Sequence, residues 1–299
     1  MPTIYRNLFA MGTRFDMVLP GIDENAGDFI FTLVSKEIFR LEELLSNYVR
    51  SSTLSKLNES AFKSPFYADD ELFGLMYDLK MMHLSTLGFF DVSISKLNGS
   101  GNGTPLENKQ ITPFSSGMNE IILNNEEKTV RFAEQGISID SGGFGKGFAL
   151  EKVKKVLLDH NILQAFISFG ESSVLGLGNH PFGEGWKVSI PDIYSQESLF
   201  VFHLKNNSLS VSGNTPANMN KYHQGHIINP FTGVYESNPG IICVSGPSTF
   251  QAEILSTALF IAGEKEQIQI LKNFSGFEAV RISYAAKSKT PVIKEILLS

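Results

Sequence analysis

The chain has 299 residues, with 25 Lys and Arg against 31 Asp and Glu, a formal net charge of −6 and 42% hydrophobic residues. That length can bury a large core, and the acidic balance argues against a general nucleic-acid or anionic-membrane surface. A single cysteine, Cys243, excludes a disulfide framework or a Cys-based zinc cluster within one chain, and no apolar run reaches the roughly 18 residues of a membrane-spanning helix.

At the amino terminus, residues 1–7 lack the apolar stretch of a secretory signal, which predicts a cytoplasmic protein. A strand-like segment lies around 8–19, and a helix near 28–46 follows through Ile30, Leu33, Val34, Ile38, Leu41 and Leu45. Tyr48 stands just beyond that helix among small polar residues, where its ring either covers a planar ligand or closes the end of the helix core. The next helix, near 69–87, has an apolar face of Leu72, Phe73, Leu75 and Leu79. Met76, Met81, Met82 and nearby His83 therefore read as packing rather than as a copper or cofactor box. Residues 98–105, rich in glycine, are the clearest loop, with 113–117 close behind; they read as a surface connection, with a lid as a second role.

Strands around 120–123 and 129–132 precede the first segment that suggests chemistry. From residue 137 alternating apolar residues give way to Gly142, Gly143, Gly145 and Gly147, then to Phe148, Val153, Val156 and Leu157 at helical spacing. That pattern predicts a strand, a glycine turn and a helix near 146–160. Glycines let a ligand approach the backbone and open N–H groups at a helix start attract phosphate, although a connection needing positive φ explains the same residues. It is neither common phosphate motif: Gly143, Gly145 and Gly147 alternate rather than giving the dinucleotide fingerprint, and Asp140 stands where a Walker A loop needs its first glycine.

Strands follow around 165–169, 186–190, 199–204 and 241–244; Trp186 reads as a core anchor and Cys243 as a buried strand thiol. Between the last two, His226 is carried by a strand-like run into a turn fixed by Asn229-Pro230 and closed by Gly233. A plain hairpin loop would account for every residue there except the histidine. A helix near 250–262 sets Glu253 and Thr257 one turn apart on one face. Such oxygen ligands suit Mg²⁺ when substrate phosphates complete its shell, though the same pair is common on exposed helices. His160, His180, His203 and His223 have no acidic or cysteine partners at metal spacing and read as surface or loop residues. The element order is not a β-α repeat, so the class expected is α+β rather than a doubly wound parallel sheet.

Taken in order, several of these segments resemble the ApbE-type flavin transferases, the FAD:protein FMN transferases. They are residues 9–13, 45–48, 88–91, 139–147, 169–178, 185–188, 211–213, 226–233 and 252–260. The resemblance implies an α+β fold with mixed, largely antiparallel sheets and packed helices, related to the T-fold. It implies one domain over 1–299, or two subdomains sharing one site. It further implies FAD as substrate, Mg²⁺ as cofactor, and transfer of FMN to a Thr or Ser hydroxyl of a flavin-accepting protein with release of AMP. FAD hydrolysis to FMN and AMP, and non-catalytic FAD binding, are the alternatives.

Carried over by residue, the resemblance gives His226 and Glu253 catalytic roles. It gives the metal to Gly145 through its carbonyl, Glu253 and Thr257, and the flavin dinucleotide to Met11, Tyr48, Asp91, Gly142, Gly143, Lys146, Gly170, Glu171, Ser172, Ser212, Gly213 and His226. The chain departs from the family's usual residues at Glu253 (usually Asp), Gly145 (usually Ala), Asn229 (usually Asp) and Glu171 (usually the second Gly of a pair).

Overall fold

A computed structural model describes residues 1–93, 117–217, 219, 225–284 and 289–296. The loop expected over 98–105, residues 113–116 and His223 lie outside the described residues. The elements in chain order begin with β1 (Thr3–Ala10), β2 (Thr13–Pro20), α1 (Glu24–Leu45), α2 (Thr53–Ser60), β3 (Phe66–Tyr67) and α3 (Asp70–Ser85). Then come β4 (Ile121–Asn124), β5 (Thr129–Phe132), α4 (Gly145–Asp159), β6 (Ala165–Phe169), β7 (Ser173–Leu177), β8 (Trp186–Pro191) and β9 (Ser198–Leu204). The series closes with β10 (Asn207–Asn214), β11 (Gly240–Gly246), α5 (Thr249–Ile261), α6 (Glu264–Leu271), β12 (Glu278–Tyr284) and β13 (Pro291–Ile296).

Eight strands form one antiparallel sheet in the order β1-β2-β6-β7-β10-β11-β12-β13, with β3-β5-β4 and β8-β9 as smaller sheets. The α+β expectation therefore holds. Side chains on β11 alternate between two cores, as a pleated strand requires: Ile242 and Val244 pack with Leu255 and Leu259 of α5, whereas Ile241 and Cys243 pack with Trp186, Phe202 and Leu204 of the β8-β9 hairpin. Burial pushes the Cys243 thiol up to about 12, so it stays protonated and inert. Trp186 anchors its core as expected, with its indole N–H donating to the Leu177 carbonyl at 2.9 Å. A third core joins Val34 and Leu41 of α1 to Leu150 and Val153 of α4 and to Phe15 and Phe169 of the sheet. Among the described residues no helix is long and apolar enough to cross a membrane.

Several boundaries differ from the sequence reading for local reasons. The strand expected over 8–19 is a hairpin: Ala10 pairs with Thr13, and Met11 and Gly12, at φ 48° and 72°, turn the chain between them. Two consecutive left-handed residues match the twist of the flanking strands. Helix α1 starts earlier than expected because Asp23 caps it, accepting the Ala26 N–H at 2.9 Å. The strand expected before the glycine turn lies outside the named sheets. There the Asn58 side chain takes the place of a neighbouring strand, accepting the Ile139 N–H at 2.8 Å and donating to its carbonyl at 2.9 Å.

Candidate active site

Two adjoining cavities of about 410 and 610 Å³ share Tyr48, Asp140, Gly142, Lys146 and Ser172 in their walls and so make one elongated cleft. Met11, Glu42, Gly145 and Gly170 line the first part; Asp91, Gly143, Ser212, Gly213, His226, Glu253 and Thr257 line the second. Each part falls within the roughly 300–1,000 Å³ usual for small-molecule sites. A separate cavity of about 680 Å³ beside Phe166, Phe182 and Trp186 contains none of these groups.

The glycine turn at the centre of the cleft is moored from several directions. Asp140 Oδ1 accepts the Gly142 N–H at 2.9 Å and the Asn47 amide at 3.0 Å, and the Asp140 N–H donates to the Val92 carbonyl at 2.8 Å. Ser141 Oγ donates to the carbonyl of Leu45, at the end of α1, at 3.0 Å. Asn47 Oδ1 is buried without a hydrogen-bond partner.

Helix α4 begins at Phe144 without a side-chain cap, so its first N–H groups are open. One of them is closed from another helix: the Gly147 N–H donates to Glu253 Oε2 of α5. The approach depends on the missing side chain, because a Cβ on Gly147 would lie 2.5 Å from the Thr249 carbonyl oxygen and 2.9 Å from Glu253 Oε2. The other Glu253 oxygen, Oε1, receives the Lys146 ammonium at 2.6 Å. Beside this pair Thr257 Oγ1 donates to the Glu253 carbonyl at 3.2 Å, and Ser212 Oγ lies 2.7 Å from Ser256 Oγ and 3.3 Å from Thr257 Oγ1. A carboxylate and hydroxyls are the hard oxygen donors that suit Mg²⁺, and the ammonium on Glu253 shows that this point already accommodates a positive charge. The donor set fits the cation. Gly145, expected to face the same metal, lines the first cavity rather than the second.

His226 is exposed to the open space of the second cavity. The protein mass around it and then the Lys146 charge lower its pKa, so the imidazole is neutral at neutral pH and able to accept a proton. The loop that carries it is tight, as the sequence suggests, although the strand-like run contributes only the single bridge Ile228–Tyr235. Asn229 organises the turn. Its Oδ1 accepts the Phe231 N–H at 3.0 Å and its carbonyl accepts the Gly233 N–H at 2.8 Å.

The remaining candidates fall at different depths. Asp91 is buried, accepts the Ser93 N–H at 2.8 Å and lies 3.8 Å from His83 Nδ1, which in turn sits 2.8 Å from the Phe90 carbonyl. Tyr48 is 98% exposed, so it does not close the helix core; its ring is free at the junction of the two cavities. Met11 holds its left-handed turn by donating its N–H to Glu42 Oε1 at 2.6 Å. Gly170 and Glu171 are both left-handed, at φ 63° and 59°. Gly170 lines the cleft, while Glu171, expected to bind the flavin dinucleotide, is exposed and lines neither cavity, so its carboxylate stays off the cleft walls. Ser172 returns to the shared wall.

Glu42, Asn47, Asp140 and Ser210 also line the cleft but are absent from the sequence-based site. Asn47 adjoins Tyr48 and Asp140 stands two residues before Gly142, and their juxtaposition across 93 positions is the part that spacing cannot reveal. Glu42 carries no signal at all, since a charged residue on an amphipathic helix reads as solvated.

A family model described as the ApbE family matches residues 11–281. The FAD:protein FMN transferase of Chlamydia muridarum is 24% identical over 240 residues, covering 76% of this chain and 74% of the relative. That of Escherichia coli (strain K12) is 21% identical over 282 residues, covering 88% and 79%. Among solved structures, the flavin transferase ApbE from Vibrio cholerae superposes with a TM-score of 0.82 at 18% identity, covering 99% of this chain and 98% of that one. The ApbE protein from Thermotoga maritima gives 0.81 at 20%, covering 98% and 97%. At these identities the structural likeness speaks to the fold.

Proposed function

The chain belongs to the ApbE family, and from that membership we propose that it is an FAD:protein FMN transferase, moving FMN from FAD to a Thr or Ser hydroxyl of a flavin-accepting protein. The names of its relatives support flavin transfer. The observation that carries the reading is the convergence, in the second part of one cleft, of Lys146, Glu253, Thr257 and a neutral His226 from separate elements. A dinucleotide is bipartite, as the cleft is. The glycine turn and the start of α4 are the natural seat of its pyrophosphate, and the free ring of Tyr48 offers a face for a planar group.

In this reading the acceptor hydroxyl attacks the phosphorus of the FMN half. Its oxygen forms the new phosphoester bond, the anhydride bond to the AMP half breaks, and AMP leaves with the bridging oxygen. His226 takes the hydroxyl proton, for which its lowered pKa leaves it free at neutral pH. Lys146 offsets phosphate charge from the wall common to both cavities. Mg²⁺, held by Glu253 and Thr257 with the Gly145 carbonyl as a third candidate, would supply Lewis-acid polarisation of the phosphoryl oxygens. The glycine turn orients the pyrophosphate through its backbone, and the moorings from Asn47, Asp140 and Ser141 keep that backbone fixed.

The test is mass spectrometry of a flavin-accepting domain incubated with the protein, FAD and Mg²⁺, with AMP followed in parallel. An FMN-sized mass gain on the acceptor that EDTA abolishes is expected. AMP and free FMN without labelling would make water the acceptor and the protein a pyrophosphatase; bound, intact FAD without AMP would overturn the enzymatic reading.

A further inference from the structure

Glu253 is occupied on both oxygens. Its side chain is 5% exposed and that of Lys146 is 22% exposed, with the ammonium 2.6 Å from Oε1; Oε2 takes the Gly147 N–H. The carboxylate thus has one cation, one helix-terminal donor and little water. A divalent cation that uses Glu253 must compete with an ammonium already in contact. One carboxylate thus bridges Lys146 and the backbone of α4. Lys146 also lies in the wall shared by the two cavities, where a ligand's phosphates would offer it a second anionic partner.

We propose that Lys146 is an internal stand-in for the divalent cation: it neutralises Glu253 in the metal-free protein, and the ligand's pyrophosphate draws it away, so that nucleotide and metal bind as linked ligands. This rests on the metal role given to Glu253 above. A buried carboxylate stripped of its counter-charge is costly, so removing the ammonium leaves a strong demand for another cation. Linkage is reciprocal: whatever factor the nucleotide contributes to metal affinity, the metal returns to nucleotide affinity. The device keeps the site closed to stray cations until a phosphate-bearing ligand arrives.

The test titrates the full chain with Mn²⁺ alone, without nucleotide, reading free Mn²⁺ by electron paramagnetic resonance. Lys146→Met is expected to bind Mn²⁺ about tenfold more tightly than the wild type, as removal of a competing contact charge should. Lys152→Met removes a cation on the same helix that pairs with Glu71 and should change affinity by less than about twofold. Adding Glu253→Gln to Lys146→Met should abolish the gain. Lys146→Gln substitutes where the Met variant does not fold. Mn²⁺ binding that requires Glu253 but is no tighter in the Lys146 variants, or an equal gain in Lys152→Met, overturns the stand-in role and leaves the metal role intact. Absence of Mn²⁺ binding in every form, the Lys146 variants included, overturns the stand-in role, because removal of the ammonium then opens no cation site; a gain that survives Glu253→Gln overturns both.

Discussion

Glu42 of α1 accepts the backbone N–H of Met11 at 2.6 Å, tying a helix to the left-handed turn of the first hairpin at the mouth of the cleft. Met11 is there without the conformational freedom of glycine, so the bond holds a turn that the residue itself disfavours. Glu42→Ala should lower stability by about 1.5–3 kcal/mol, the scale of a hydrogen bond to a charged acceptor. Because the turn lines the first cavity and His226 the second, KM for FAD should rise while kcat holds. Steady-state kinetics with chemical denaturation would check both; a fall in kcat alone would contradict the assignment.

His226→Ala should reduce FMN transfer by about 10²–10⁴-fold, the usual contribution of a general base. FAD affinity, measured by flavin fluorescence, should change little, since the imidazole is exposed in the cavity rather than packed beneath it.

The lowered pKa of His226 sets the sign of the pH response. In the proposed mechanism activity needs the neutral imidazole, and a depressed pKa preserves that form into more acidic solution. The acid limb of kcat/KM should therefore lie below the ordinary histidine value of about 6.5. Part of the depression comes from Lys146, so Lys146→Met should move the limb upward. A limb that stays in place would remove Lys146 from the electrostatics of the base.

Glu171 occupies a left-handed position, exposed and away from both cavities. Glu171→Gly should raise stability by about 1 kcal/mol through relief of that conformation. A urea midpoint that rises with unchanged slope, at unchanged FAD affinity, is the expected result.

Gly147→Ala should couple stability to activity at the α4–α5 contact, read by urea denaturation alongside the transfer assay. The added methyl would meet a backbone oxygen at 2.5 Å, which cannot rotate aside, so the helices must part. A loss of about 1–3 kcal/mol, typical of overpacking, should accompany loss of the Glu253 contact and of transfer activity.

The parts of the site that are contiguous in sequence were legible: Gly142, Gly143 and Lys146 in one turn, and Glu253 with Thr257 at helical spacing, all line the cleft. The helices near 69–87, 146–160 and 250–262 also emerge, because their apolar period is strong and, for α3, the Asp69 cap is plain. What spacing could not reveal is partnership. Glu253 reads as a free metal ligand, yet it caps α4 and pairs with Lys146 across 107 positions. The helix expected near 28–46 starts at Glu24 because its cap, Asp23, lies ahead of the first strongly apolar turn. The first two strands read as one because the apolar run 8–11 leads on towards Phe15 and Met17, and the reversal at Met11 and Gly12 lies in the sign of φ. Strand β10, rich in serine, carries a weak apolar signal; its Ser210 is buried against Ser256, 3.1 Å away, rather than solvated.

The pairing of β2 with β6 brings Phe15 opposite Phe169, with the rings edge to face at 5.4 Å. During synthesis the first hairpin is complete long before its sheet neighbour exists, an interval on the order of ten seconds at ordinary elongation rates. A lone hairpin is marginal in water, and until residue 169 emerges from the ribosome one flank of β2 is an open edge able to pair with a neighbouring nascent chain. The vulnerable period in the life of this protein is therefore its own translation, and slowing elongation within the first half of the message should increase aggregation even though the finished fold is unchanged.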